Sequence, residues 1–157
     1  MHAVTPATRA DDARSIGLGA LYFLLSTAIT WGFIDAGAGL YASQEKMLLS
    51  CSIAGGKWAL QIGAALLLLR EKRWVFIRRL GEVCLAGSVV LLPYCFAPVQ
   101  EALGLNGFLA SLIAAVVLMV GLYWRAVRCS ELLPLWFWGW MACLAIAVTL
   151  QLTIVFN

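Results

Sequence analysis

Residues Ser50–Leu69, SCSIAGGKWALQIGAALLLL, form an apolar run with one lysine inside it. A helix through this run sets Lys57 about 15 Å from Met47, at ~1.5 Å of rise per residue. The charge then lies near the middle of any bilayer the helix crosses. A cation there costs about 2.5–3.5 kcal/mol on insertion scales, and an ionisable side chain inside a membrane helix is by default a functional-site candidate.

Wound at about 100° per residue, the run has two faces of small residues. Ser50, Ala54, Lys57, Gln61, Ala64 and Ala65 share one; Ser52, Gly56, Ala59 and Gly63 share another, roughly opposite. Bulky side chains lie between them. Small residues let helix backbones approach closely in lipid, so this helix is expected to have protein on two sides, either at the centre of a bundle or shared with another subunit. Lys57 then faces protein or a polar cavity, with Gln61 one turn away. It binds an anionic group or carries a proton on the functional reading, and snorkels or pairs with a buried acid or carbonyl on the structural one. Candidate partners are poorly matched in depth: Glu82 near the cytoplasmic edge, Asp35 near the outer edge, and Gln151 toward the outer side. A carboxylate from a partner subunit or a lipid phosphate is the other possibility. Gly55-Gly56-Lys57 is not a phosphate-binding loop, which needs a glycine at position 51 and Ser or Thr at 58; Cys51 and Trp58 stand there.

The rest of the chain belongs to the same class. Hydrophobic residues make up 63% of the 157 and charged residues 12%, against about 45–50% and about 25% in soluble domains. Five stretches meet the roughly 17–25 residues a span requires: Ile16–Ile34, Met47–Leu69, Leu80–Ala97, Phe108–Trp124 and Leu135–Phe156. The third is the weakest, with Glu82 at one end and Pro93 near the other. The expectation is an all-α integral membrane protein, a five-span helical bundle; the alternative is four full spans with a re-entrant third segment. A polar cytoplasmic tail over residues 1–15 precedes a membrane domain over 16–157. A cleaved signal peptide ending at Ala36-Gly37-Ala38 is disfavoured, because Ile16–Ile34 is too long for an h-region and Asp11 and Asp12 occupy the would-be basic segment.

Connector charges set the orientation. Arg9, Arg14, Arg70, Lys72, Arg73, Arg78, Arg79, Arg125 and Arg128 fall on one side, and only Lys46 on the other. By the positive-inside rule the N-terminus is cytoplasmic and the C-terminus extracytoplasmic, as in a bacterial inner-membrane protein. Trp74, Trp124, Trp136, Trp138 and Trp140 all fall at the predicted cytoplasmic boundary, as an interfacial aromatic belt. The loop over Arg70–Arg79 suits anionic lipid headgroups. The net charge of +3 is too small to indicate nucleic-acid binding.

Catalytic groups are scarce. The one histidine is His2, and the five cysteines include no CxxC or zinc-ligand spacing, so no metal site or cofactor is implied. Cys51 and Cys95 fall at similar depth near the outer boundary and are a possible redox pair. Cys84, Ser88 and Cys95 share a face of the third span. Cys129 reads as a loop thiol and Cys143 as packing. Glu82 follows Arg78 by four residues, a helical ion-pair spacing. Three functions are therefore expected, in this order. The first is a non-catalytic accessory or assembly subunit contacting other membrane subunits or copies of itself. The second is a small anion or proton carrier or channel using Lys57 and Gln61. The third is a membrane thiol-redox protein using Cys51 and Cys95. The balance leans away from an enzyme.

Overall fold

Every apolar run becomes a helix, and capping residues and prolines mark several of the boundaries. The computed structural model describes residues 6–41, 43–69 and 72–156, all of the regular structure among them helical. The helices are α1 (Pro6–Tyr41), α2 (Gln44–Leu68), α3 (Arg73–Leu91), α4 (Ala97–Cys129) and α5 (Pro134–Phe156), with a 3-10 turn, Leu92–Cys95, after α3. Ser43 caps α2, its hydroxyl accepting from the Lys46 N–H at 3.4 Å. α3 gives way to the 3-10 turn just before Pro93, since a proline disfavours helix at the residue preceding it. α5 opens on Pro134, which costs no hydrogen bond at a first helical position. α4 closes in a Schellman motif: Leu132 N–H bonds the Val127 carbonyl at 3.1 Å and Glu131 N–H the Arg128 carbonyl at 3.0 Å. Glu131 takes the left-handed position, at φ 52°.

Four helices, α1, α2, α4 and α5, are long and apolar enough to cross a membrane. Three expected spans, Ile16–Ile34, Phe108–Trp124 and Leu135–Phe156, lie inside α1, α4 and α5. Met47–Leu69 runs one residue past α2. Leu80–Ala97 is not a single helix, because α3 begins at Arg73 and ends at Leu91, before the 3-10 turn that carries Pro93. α1 has 36 described residues, about 54 Å at ~1.5 Å per residue, and the polar stretch ATRADDAR ahead of the expected span is helical too. α4 begins eleven residues before the expected Phe108 and bends at Gly104. There φ is 54° and ψ −153°, a backbone state essentially restricted to glycine. The Tyr94 hydroxyl, buried, donates to the Gly104 carbonyl at the bend.

The helix at the centre is α3, not α2. α3 packs on α1, α4 and α2 and buries Phe76, Ile77, Leu80, Gly81, Val83, Gly87, Ser88 and Leu91. It falls short of the hydropathy of the other four because Arg73, Arg78, Arg79 and Glu82 occupy its first half. The most extensive interface joins α1 and α3, which run parallel: Gly19 lies against Arg78, Gly81 against Tyr22, and Gly32 against Cys95. Gly81 permits this approach, since a Cβ there meets Tyr22 Cβ at 3.1 Å and the Gly19 carbonyl at 3.2 Å. Short connectors predict antiparallel sequence neighbours, but close glycine packing favours this parallel pair.

Two apolar clusters stack along the bundle. One, toward the arginine-rich end, centres on Trp58, Phe76, Leu80, Tyr123 and Trp140. The other centres on Phe33, Leu91, Tyr94 and Phe108, with Phe33 and Phe108 stacked at 5.0 Å.

Candidate functional site

Lys57 is buried, 7% exposed, inside this chain's own bundle. Its Nζ lies over the ring of Trp58, 4.9 Å from the centroid, and over that of Trp140 at 5.3 Å. Such contacts are worth about 0.5–2 kcal/mol each and offset part of the cost of burying the charge. Trp140 is fully buried and stacks on Tyr123 at 4.3 Å. It therefore belongs to the core and not to the interfacial belt. Trp138 and Trp124 do face outward, at 64% and 39% exposure. The indole N–H of Trp140 is buried with no hydrogen-bond partner among the described residues.

Gln61 is buried one turn from Lys57, and its Oε1 accepts from the Tyr123 hydroxyl at 2.8 Å. The same hydroxyl reaches the Trp136 carbonyl at 3.5 Å. Among the described residues no carboxylate forms an ion pair with Lys57.

A second polar group sits between the two apolar clusters. The Ser26 hydroxyl is 2.6 Å from Ser88 Oγ and 3.0 Å from Cys84 Sγ, and Thr30 Oγ1 is 3.3 Å from Ser88 Oγ. Ser88 also donates to the Cys84 carbonyl at 3.1 Å. Ser26 and Ser88 are 3% and 6% exposed. The shared face of Cys84 and Ser88 is legible in the sequence, but its partners on α1 were missed. Winding α1 brings Ser26 and Thr30 together at i, i+4, the same spacing as Cys84 and Ser88.

The other candidates lie elsewhere. Glu82 pairs with Arg78 on its own helix, at 3.4 Å, half exposed. Gln151 donates to the Ser50 carbonyl at 2.8 Å, tying α5 to α2 about two turns from Lys57. Cys51 and Cys95 are both thiols packed on the second apolar cluster, and Cys95 Sγ lies 3.9 Å from the Ile29 carbonyl. In the basic connector, Arg70 and Glu71 lie outside the described residues. Lys72 pairs with Glu131 at 2.6 Å, and Arg79 donates to Ser130 Oγ at 2.7 Å. Two cations of this connector thus bind the α4–α5 turn.

The two faces of α2 differ. The Lys57 face is filled, with Ala65 fully buried, whereas Ser52, Gly56 and Ala59 are exposed. Gly56, Ala59, Leu60, Gly63 and Leu67 line an open apolar groove of about 670 Å³. Among the described residues, α2 has protein on one side only. Compared with known proteins, the chain matches no protein-family model, no curated protein and no solved structure.

Proposed function

We propose that this protein is a five-span membrane carrier that moves a proton or a small anion through Lys57. The supporting observation is the buried lysine itself: a cation enclosed by two indoles, beside the Gln61–Tyr123 hydrogen bond, with no carboxylate paired to it among the described residues. A charge inside a membrane bundle is expensive even when indoles offset part of the cost, so by default it marks a functional site. α3 serves as the fifth span, since a helix surrounded by others can carry more polar residues than one facing lipid. The arginine-rich end is cytoplasmic and the C-terminus extracytoplasmic, as in a bacterial inner membrane, with the basic connector facing anionic headgroups. The test is ion flux into liposomes containing the purified protein. Lys57→Met is expected to abolish flux while leaving insertion and abundance intact, and unchanged flux sinks the reading.

The groove on α2 favours a second reading, an accessory subunit that packs a partner helix against Gly56, Ala59 and Gly63. Mild-detergent purification from the native host tests it. A co-purifying membrane protein lost in Gly56→Leu supports this role. A chain that purifies alone and still performs flux rules it out.

A further inference from the structure

We infer that Phe33, Tyr94 and Phe108 form a gate that shuts Lys57 off from the membrane face opposite the arginine-rich end, and that Gly104 is the hinge on which it opens; the inference rests on the carrier reading. A carrier must expose its site to the two faces in turn. Lys57 is buried and lies over rings of the first apolar cluster. The second cluster covers it on the far side. Cys51, packed there from α2, precedes Lys57 by six residues, about 9 Å along the helix.

Three rings close that cluster as a triangle in which each meets the other two. Phe33 of α1 stacks on Phe108 of α4 at 5.0 Å. The Tyr94 ring, from the 3-10 turn, stands edge-on to Phe108 at 5.7 Å and to Phe33 at 6.1 Å. All three are buried. Tyr94 also holds the bend in α4: its hydroxyl donates to the Gly104 carbonyl, and its own carbonyl accepts from Gln100 Nε2 at 2.8 Å. One side chain thus belongs to both the triangle and the bend, so the two open and close together.

Little protein packing holds the segment that joins them, where Phe96, Glu101, Leu103 and Leu105 are exposed. Gly104 has φ 54° and ψ −153°, and nothing packs within 4 Å of a Cβ built there. Crowding therefore does not impose the bend. Glycine passes between this state and ordinary helix without a steric penalty, and hinges are residues that absorb such a torsion change. Straightening α4 at Gly104 draws its carbonyl away from the Tyr94 hydroxyl and frees that ring to leave Phe33 and Phe108.

The test is the reactivity of Cys84, which lies on the inner side of the triangle, packed on the first cluster and 3.0 Å from the Ser26 hydroxyl. The full chain, with its other four cysteines changed to alanine, is labelled in membrane vesicles of either orientation with a charged, membrane-impermeant thiol reagent. A second chain that keeps only Cys129, exposed at the arginine-rich end, shows which vesicles present that end. Tyr94→Phe keeps the ring and deletes the hydroxyl. From the opposite face it is expected to speed labelling about three- to tenfold, as one lost hydrogen bond allows. Gly104→Ala, which disfavours the bent torsions, is expected to speed it about tenfold or more. Neither should alter labelling from the arginine-rich face. A rate unchanged in either variant overturns the inference. Rates raised equally from both faces reflect general loosening and overturn it too. Ion flux is read on the same variants. Flux that needs Lys57, with labelling unchanged in the hinge variants, leaves the carrier reading standing without this gate. No flux in wild type overturns both.

Discussion

The Nζ of Lys57 stands over the ring of Trp140, 5.3 Å from its centre, and that ring stacks on Tyr123 at 4.3 Å. One indole therefore supports a charge and fills the core. Trp140→Ala removes both contributions and is expected to cost about 3–5 kcal/mol of stability, as for other buried aromatics. Trp140→Phe keeps most of the packing and deletes the unpartnered N–H, so its cost should stay below about 2 kcal/mol. Unfolding titrations in mixed micelles measure both. Equal losses in the two variants contradict this division of roles.

Tyr123 and Gln61 should behave as a coupled pair. Tyr123→Phe leaves the Gln61 oxygen buried without its donor, and Gln61→Leu leaves the hydroxyl only the Trp136 carbonyl at 3.5 Å. Each single change loses the bond and strands a polar atom. The double variant is expected to cost less than the sum by about 0.6–1.7 kcal/mol, the range of hydrogen bonds inside membrane proteins. Strict additivity in a double-mutant cycle is the contrary result.

Gly104 and Gly121 should respond oppositely to alanine. Neither has an atom within 4 Å of a built Cβ, so crowding plays no part. Gly104 sits at φ 54° and ψ −153°, and Gly104→Ala is expected to destabilise by about 1–3 kcal/mol. Gly121 is helical and exposed, and Gly121→Ala should stabilise by up to about 1 kcal/mol. Thermal unfolding of the two variants side by side decides it.

The contact between Lys72 and Glu131 predicts a pH dependence. Hydrogen bonding from Lys72, aided by its charge, lowers the Glu131 carboxyl from its ordinary 4.5. A folded-state value below the unfolded one means that folding is favoured by ionisation. The contribution is present above pH 4.5 and is lost as pH falls through the lower folded value. Glu131→Gln, and equally Lys72→Met, should therefore flatten the decline of stability in that acidic window. Both side chains are at least half exposed, so added salt should shrink the effect. A decline identical in wild type and both variants contradicts it.

Much of the site was legible in the sequence. Helical winding alone puts Lys57 and Gln61 on one face and Gly56 and Ala59 on another, and α2 buries the first and exposes the second. The Arg78–Glu82 pair is likewise a property of local spacing. Trp140 was misread because a tryptophan near a helix end suits both an interfacial belt and a core. Its position depends on which side of α5 meets α2 and α4. Pairing Ser26 and Thr30 with Cys84 and Ser88 requires knowing that α1 lies beside α3 in parallel. Span lengths and connector charges say nothing about that adjacency.

The sequence by itself determined that the chain is built of long apolar helices and that one of them carries a charge within its apolar stretch. Those properties follow from hydropathy and the 3.6-residue period, which act within a single segment. Only the tertiary structure decided that α3 is central, that two indoles flank Lys57, and that a serine–cysteine–threonine layer separates the apolar clusters. These depend on helices approaching across gaps in sequence, where glycine contacts such as Gly19 with Gly81 select the neighbours. The buried lysine is a fact of composition, and its company is a consequence of packing.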